Sequence, residues 1–275
     1  MAGSGARLVT LSTDLGPVYS AQMKGVLMRW VPAASVVELT HELPAHGIRE
    51  SAFLLRQMTG TFPAGTVHVA IVDPGVGGTR AAIAIRCTDG SVLVGPDNGL
   101  MIPARERFGG GRAFRLDPQR VVPGETLSAT FHGRDLFAPA AGRIASGTAP
   151  ADLGSPFRAR YLELAGAKRH GPEVDGEVLH VDRFGNLVTN VPTDWIDPVP
   201  QQLGARVGRA PSRELNCVRT YSELRPGELG LVGSSFGTFE LAVREGRASD
   251  RLAAGVGTPI RLSPVVRTRV RVKRA

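Results

Sequence analysis

The feature that most limits what this chain can fold into is an alternation near its start. Leu8-Val9-Thr10-Leu11-Ser12 is a short β-rich run that stops at Thr13-Asp14-Leu15-Gly16-Pro17. Tyr19 to Trp30 then carries Met23, Val26, Leu27 and Trp30 at i, i+3, i+4 and i+7, with Pro32 as a stop, which predicts an amphipathic helix. Val36 to Leu39 reads as a second strand. Ile48 to Met58 reads as a second helix, with Ile48, Ala52, Leu55 and Met58 turned inward before the breakers Gly60 and Pro63. A third apolar run, His68 to Val72, follows. Strands alternating with helices predict an α/β domain built on a mostly parallel sheet with covering helices, whose ligand lies beyond the carboxyl ends of the strands. Asp14 and Asp73 both stand at such ends.

The third run delivers Asp73 into a Pro/Gly turn, Pro74-Gly75-Val76-Gly77-Gly78-Thr79, that Arg80 closes. A buried strand ending on an acid is how a rigid scaffold presents charge at a cleft, and Arg80 is near enough to fold back on that acid. Taken alone, this stretch is equally an ordinary strand-to-loop junction with a surface ion pair. Ala82 to Cys87 and Val92 to Val94, joined through Asp89-Gly90, predict a hairpin leading into the turn Gly95-Pro96-Asp97-Asn98-Gly99-Leu100. Phe131-His132-Gly133-Arg134-Asp135 precedes an Ala-rich helix, Leu136 to Ile144. There Gly133 would let backbone approach a ligand, and His132 stands where an imidazole can work on bound solvent.

The second half has a different character. Residues 166–172 read as a short linker between a first domain, 1–165, and a β-dominated one, 173–275. Glu177 to Val191 predicts a hairpin about Asp182-Arg183-Phe184-Gly185-Asn186. Leu229 to Val243 predicts another through Gly233-Ser234-Ser235-Phe236-Gly237, and Thr258 to Val272 supplies the last strands. The chain has 275 residues, enough for two cores, and no apolar run approaches the roughly 20 residues of a membrane span. Met1 to Ala6 lacks an h-region, so no secretion signal is expected. Cys87 and Cys217 stand alone and far apart, which argues against a disulfide framework or a zinc site and fits a reducing cytoplasm.

The net charge of +8 keeps nucleic-acid binding open. Its excess sits at the end, where Arg267, Arg269, Arg271 and Lys273 alternate with Thr268, Val270 and Val272. That period of two reads as a strand with one solvated basic face rather than a nucleic-acid patch, and no aromatics interleave with it. The chain has no GxxxxGK(S/T) loop, no GxGxxG after a strand and no HExxH, which removes the commonest nucleotide and zinc-protease chemistries.

Six stretches, taken in order, carry a resemblance: Ser12-Thr13-Asp14-Leu15-Gly16, Met23-Lys24-Gly25-Val26, Val72 to Gly77, Gly95 to Gly99, Phe131 to Asp135, and Asp182 to Asn186. Together they resemble the S-adenosyl-L-methionine hydroxide adenosyltransferase family, the adenosine-forming hydrolases related to fluorinating and chlorinating enzymes. The resemblance implies an α/β domain, a β-barrel-like second domain, and a homotrimer with active sites between neighbouring subunits. It places the water-handling set on Asp73, Arg80 and His132 and the ribose-diol carboxylate on Asp14. The methionine end falls on Asp182, Asn186, Ser235 and Glu240. Phe184 becomes an adenine or ribose wall, and backbone near Arg247-Ala248 an adenine edge. The halogenating relatives replace Asp73 by tyrosine and His132 by another aromatic, so the chain resembles the water-using branch. It departs in a shorter Asp14-to-Met23 segment that lacks the acid usual there.

The reaction implied turns S-adenosyl-L-methionine and water into adenosine and L-methionine, with no cofactor and no metal. A neutral thioether leaves without acid assistance, so the protein has to position the nucleophile. Asp73 beside Arg80 should ionise readily and orient water. His132 is then the proton acceptor, or Arg80 stabilises a bound hydroxide. A halide-using enzyme of the same fold, and a catalytically inactive nucleoside- or RNA-binding module, are the alternatives.

Overall fold

The computed structural model describes residues 8–32 and 35–265, and the chain divides into two compact units, Met1–Leu164 and Ala165–Ala275. In the first, β1 (Val9–Thr13), α1 (Gly16–Trp30), β2 (Val36–Thr40), α2 (Ile48–Thr59) and β3 (Val67–Ile71) alternate as the sequence predicts. Then come β4 (Ala82–Cys87), β5 (Val92–Pro96), α3 (Ile102–Arg107), β6 (Gly111–Leu116) and α4 (Pro118–Val121). A π-helical turn (Gly133–Phe137) runs into α5 (Ala138–Ala145), and β7 (Gly154–Phe157) ends the unit. The strand order is β2-β1-β3-β5-β4-β6-β7. β1 runs parallel to β2 and β3, and β3 to β5, whereas β4, β6 and β7 add antiparallel. This is a mostly parallel α/β layer with an antiparallel extension.

Every residue of β1 and β3 is buried, as covering both sheet faces requires. On one face Val9, Leu11 and Val69 pack with Leu27 of α1 and Ile144 of α5. On the other Ala70, Ile85 and Leu93 pack with Leu55 of α2 and Ile102 of α3. Helix α1 begins at Gly16, earlier than its hydrophobic spacing predicts, because Pro17 sits in the first turn, where no intrahelical bond needs its missing N–H. The sheet's edges among the described residues are β2 and β7, and β7 sets Pro156 opposite Phe114 of β6.

One polar pair lies inside this sheet. Thr10 of β1 stands in register beside His68 of β3, and the Thr10 hydroxyl is 2.8 Å from His68 Nδ1. The imidazole is 1% exposed. It stacks on Phe108 at 5.5 Å and meets Phe62 edge-on. Its Nε2 has no partner among the described residues. Burial pushes its pKa down to about 4, so it is a neutral histidine at pH 7.

The second unit contains β8 (Lys168–His170), β9 (Glu173–Val181), β10 (Leu187–Pro192), β11 (Gln202–Val207), β12 (Arg213–Val218), β13 (Leu229–Gly233), β14 (Thr238–Val243), α6 (Ala248–Leu252) and β15 (Pro259–Pro264). Their order is β10-β14-β13-β12-β11-β15-β9-β8, and β10 also pairs with β9. Seven strands therefore close into a barrel, with β8 outside the ring. Leu187, Leu203, Leu231, Phe239, Leu241 and Leu262 fill it. The stretch read as a linker carries β8. Strands β6, β7, β11 and β12 are additions to the predicted set, and Arg267, Arg269, Arg271 and Lys273 lie outside the described residues. Among the described residues no helix is long and apolar enough to cross a membrane.

Candidate active site

Asp73 lies two residues beyond β3, and the turn after it brings Arg80 back. Arg80 Nε donates to both carboxylate oxygens at 3.0 Å, and Nη2 donates to Oδ2 at 2.5 Å. Both side chains are largely buried, and the guanidinium also sits 5.2 Å from the Phe137 ring centroid. The turn depends on Gly77, whose φ is +74°. A Cβ there would fall 2.2 Å from the carbonyl oxygen of Ala129, so glycine is what lets the 73–80 turn press against the segment leading to His132. Asn98 fastens the same region, donating from Nδ2 to the Val72 carbonyl at 2.7 Å. The Gly95 to Gly99 turn thus supports the strand end that carries the acid.

His132 precedes the π-helical turn, and Arg80 Nη2 lies 2.9 Å from its Nδ1. A guanidinium has only donors, so Nδ1 must accept. The imidazole is therefore neutral, with its proton on Nε2. Burial, and then the positive charge of Arg80, hold its pKa below the ordinary 6.5, against the opposing pull of Asp73 and Asp135. Asp135 is anchored by Arg134, at 2.6 and 3.1 Å, and by the Ser128 N–H at 2.9 Å. Gly133 answers to packing, since a Cβ would come 3.0 Å from Met23 Sδ and 3.1 Å from the Phe131 ring.

Asp14 follows β1. Its N–H bonds the Ile71 carbonyl at 3.2 Å, and its Oδ2 accepts from the His46 N–H at 3.5 Å. Burial raises its pKa, and the His46 bond partly offsets this. Asp14, Asp73 and His132 share the wall of one cavity of about 320 Å³ with Tyr19, His46 and Phe131. Arg80 is not in that wall; it orients the carboxylate and the imidazole from behind. Tyr19 and Phe131 meet edge-on at 5.2 Å. The sequence reading missed Tyr19, His46 and Phe131 as wall residues. Only His46 leaves a trace, and a structural one, since its φ of +61° is unusual for a residue other than glycine.

In the second unit the β9–β10 turn satisfies itself. Asp182 Oδ1 accepts from the N–H groups of Phe184 and Asn186 at 2.9 and 2.8 Å, and Oδ2 from Asn186 Nδ2 at 2.9 Å. Phe184 is left 67% exposed at the tip. The Ser249 N–H bonds the Gly185 carbonyl at 2.9 Å and Arg247 donates to the Arg183 carbonyl, which brings Ala248 beside the turn. Glu240 pairs with Val188, two residues beyond Asn186. Ser235 is exposed in the β13–β14 turn, which joins the Pro192 end of the β10–β14 pair. The structure therefore gathers Asp182, Phe184, Asn186 and Ala248 at one end of β10 and puts Ser235 at the other, so the residues read as holding the methionine end are divided. Among the described residues no three His, Cys, Asp or Glu side chains cluster as metal ligands would.

An α/β layer that brings two carboxylates and an imidazole to one cavity, with a guanidinium behind Asp73 and His132, and that is followed in the chain by a closed β-barrel, defines the class to which this protein is to be compared. Residues 9–154 match the SAM hydroxide adenosyltransferase N-terminal domain and residues 176–261 its C-terminal domain. The chain belongs to the SAM hydroxide adenosyltransferase family. A protein of Salinispora tropica named (R)-S-adenosyl-L-methionine hydrolase is 40% identical over 260 residues, covering 93% of this chain and 97% of its own. One of the same name from Thermus thermophilus is 40% identical over 253 residues, covering 89% and 94%. The crystal structure of an uncharacterized conserved protein from Thermotoga maritima superposes with a TM-score of 0.86 at 30% identity, covering 93% of this chain and 99% of that one. A protein named fluorinase from Actinoplanes sp. is more distant, at 24% over 220 residues, covering 70% and 74%.

Proposed function

We propose that this chain hydrolyses S-adenosyl-L-methionine to adenosine and L-methionine by in-line attack of water at the ribose C5′. The observation that carries the reading is that Asp73 and His132, both hydrogen-bonded to Arg80 behind them, share one cavity wall, so that an acceptor and an N–H donor stand there for a water. His132 Nδ1 is taken by Arg80, so protonating this ring would cost that bond and set a cation beside a guanidinium. The geometry therefore weighs against His132 as proton acceptor and favours a donor role for its Nε2–H.

The step then balances without a strong base. Water, accepting from His132 Nε2–H and donating to Asp73, forms the O–C5′ bond as the C5′–S bond breaks, and the electron pair neutralises the sulfonium as methionine thioether. The newly protonated 5′ oxygen is a very strong acid and releases its proton to the Asp73 carboxylate and onward to solvent. Such orientation contributes about 7–11 kcal/mol in favourable cases. Asp14 serves the ribose hydroxyls. Asp182, Asn186 and Glu240 serve the amino-acid end, and Phe184 and the backbone at Ala248 the nucleoside. Ser235, at the far end of β10 from Asn186, does not share that small group within one copy.

The same proposal takes the working form as a homotrimer in which the second unit of one copy completes the cavity of its neighbour. It places the protein in a reducing cytoplasm, in keeping with free Cys87 and Cys217. No step calls for a cofactor. The test is the product: purified protein is incubated with S-adenosyl-L-methionine, with and without chloride or fluoride, and the nucleoside is identified. Adenosine with methionine is expected. A 5′-halo nucleoside would make it a halide-using enzyme, and salt-sensitive RNA binding without methionine release would make it a binding module.

A further inference from the structure

The barrel holds an acid that its own core does not explain. Along β14, Phe239, Leu241 and Val243 belong to the barrel core, so the strand's alternation turns Glu240 to the outer face, together with its cross-strand neighbours Val188 and Val232. Glu240 is nevertheless only 4% exposed. The one hydrogen-bond partner of its carboxylate among the described residues is Tyr221, from a 3₁₀ turn between β12 and β13, whose hydroxyl donates to Oε1. Burial is the main cause raising the pKa of Glu240, with the charge of Asp182 acting the same way and the Tyr221 bond opposing both. Tyr221 is itself raised, by burial and then by its bond to Glu240. Among the described residues neither Glu240 nor Asp182 forms an ion pair. Two carboxylates in electrostatic reach of each other, one nearly enclosed and neither with a protein cation, call for a cation from outside.

We infer that Tyr221 is a positioning residue that fixes the Glu240 carboxylate to receive the α-ammonium group of the substrate's amino-acid end. The inference rests on the function proposed above and adds a residue that the sequence reading did not name. Tyr221 fills one oxygen of Glu240 and leaves the other for a charged N–H donor, while Asp182, both of whose oxygens are held by its own turn, adds negative potential nearby. A phenol is suited to this because it donates a hydrogen bond without bringing a positive charge that would compete with the ligand.

The experiment compares wild type, Tyr221→Phe, Glu240→Gln and the double variant. It measures KM and kcat for S-adenosyl-L-methionine, and dissociation constants for that compound and for 5′-deoxy-5′-methylthioadenosine, which keeps the nucleoside and lacks the amino-acid end. Tyr221→Phe should raise KM about 10-fold with kcat within about 2-fold of wild type, the size of losing one hydrogen bond to a charged group. Its affinity for methylthioadenosine should not change. Glu240→Gln should lose more, and adding Tyr221→Phe to it should cost nothing further, because the tyrosine acts through the glutamate. Equal weakening of both ligands would make Tyr221 a prop of the fold and overturn the inference, as would unaltered affinity for both. If wild type makes no adenosine, the hydrolase reading fails. The binding arm still decides this inference, since it needs no turnover.

Discussion

Acid should find the first unit's weak point at His68. The fold keeps this imidazole neutral, with a pKa of about 4 against 6.5 for an ordinary histidine, so the unfolded chain binds the extra proton first. Stability from this source is fully present above pH 6.5 and is lost as pH falls from 6.5 toward 4. At about 1.4 kcal/mol per pH unit the whole effect is about 3.4 kcal/mol, of which about 2 kcal/mol is lost between pH 7 and pH 5. Other groups titrate over the same range, so the informative quantity is a difference between two proteins. His68→Phe keeps a ring against Phe108 and Phe62, removes the unpartnered Nε2 and leaves the Thr10 hydroxyl without its bond. Urea unfolding at pH 7 and pH 5 would compare it with the parent, both carrying Trp195→Phe so that Trp30 reports the first unit. The parent should lose about 2 kcal/mol more than the variant. Equal losses in the two proteins would refute the argument that a buried, neutral His68 governs acid stability.

Asp14→Ala should raise KM for S-adenosyl-L-methionine by about 10-fold or more and change kcat far less, because a carboxylate on the ribose hydroxyls acts in ground and transition states alike; steady-state kinetics decide this. Arg80→Met should raise the pKa of His132, followed by NMR titration of the imidazole, because it removes the positive charge that helps hold that pKa below 6.5 and leaves Asp73 and Asp135, which act upward. An imidazole titration unmoved in a folded variant would disconnect Arg80 from His132. Mixing inactive Asp73→Ala with inactive Asn186→Ala under conditions of subunit exchange should restore part of the activity, and no recovery after proven exchange would rule out sites shared between copies.

How much of this was legible in the chain depended on how local the cause was. The strands ending at Asp14 and Asp73 were readable because continuous apolar runs stop at turn residues, and Arg80 because seven residues of Gly-rich turn leave it little choice of partner. Strand β6 was not, because GRAFRL breaks the period of two with adjacent Ala113 and Phe114 and becomes a strand when β4 pairs with it. Strand β11 was legible and passed over, since QLGARV sets Leu203, Ala205 and Val207 on alternate positions. The π-helical turn after His132 has no local signature, so that stretch read as the approach to an ordinary helix. The tautomer of His132 is set by a donor 52 positions away, and the fixing of Glu240 by a tyrosine 19 positions away. Neither pairing leaves a spacing that a sequence can display.

The two edges of the seven-stranded sheet carry a consequence for crowding. A free edge is a template on which a second copy can add its own strand, and repetition of that event makes fibres. Here β7 is four residues long and carries Pro156, which has no N–H to offer an incoming strand. β2 exposes Glu38, paired with Lys24 at 2.9 Å, so a charge pair sits where a flat apolar ribbon would have to dock. The barrel, closed on itself through the β9–β10 pairing, adds no open ring edge of its own. Strand addition by a second copy thus finds a poor template at either edge of this sheet, which lowers the hazard of fibre growth when many copies are crowded together.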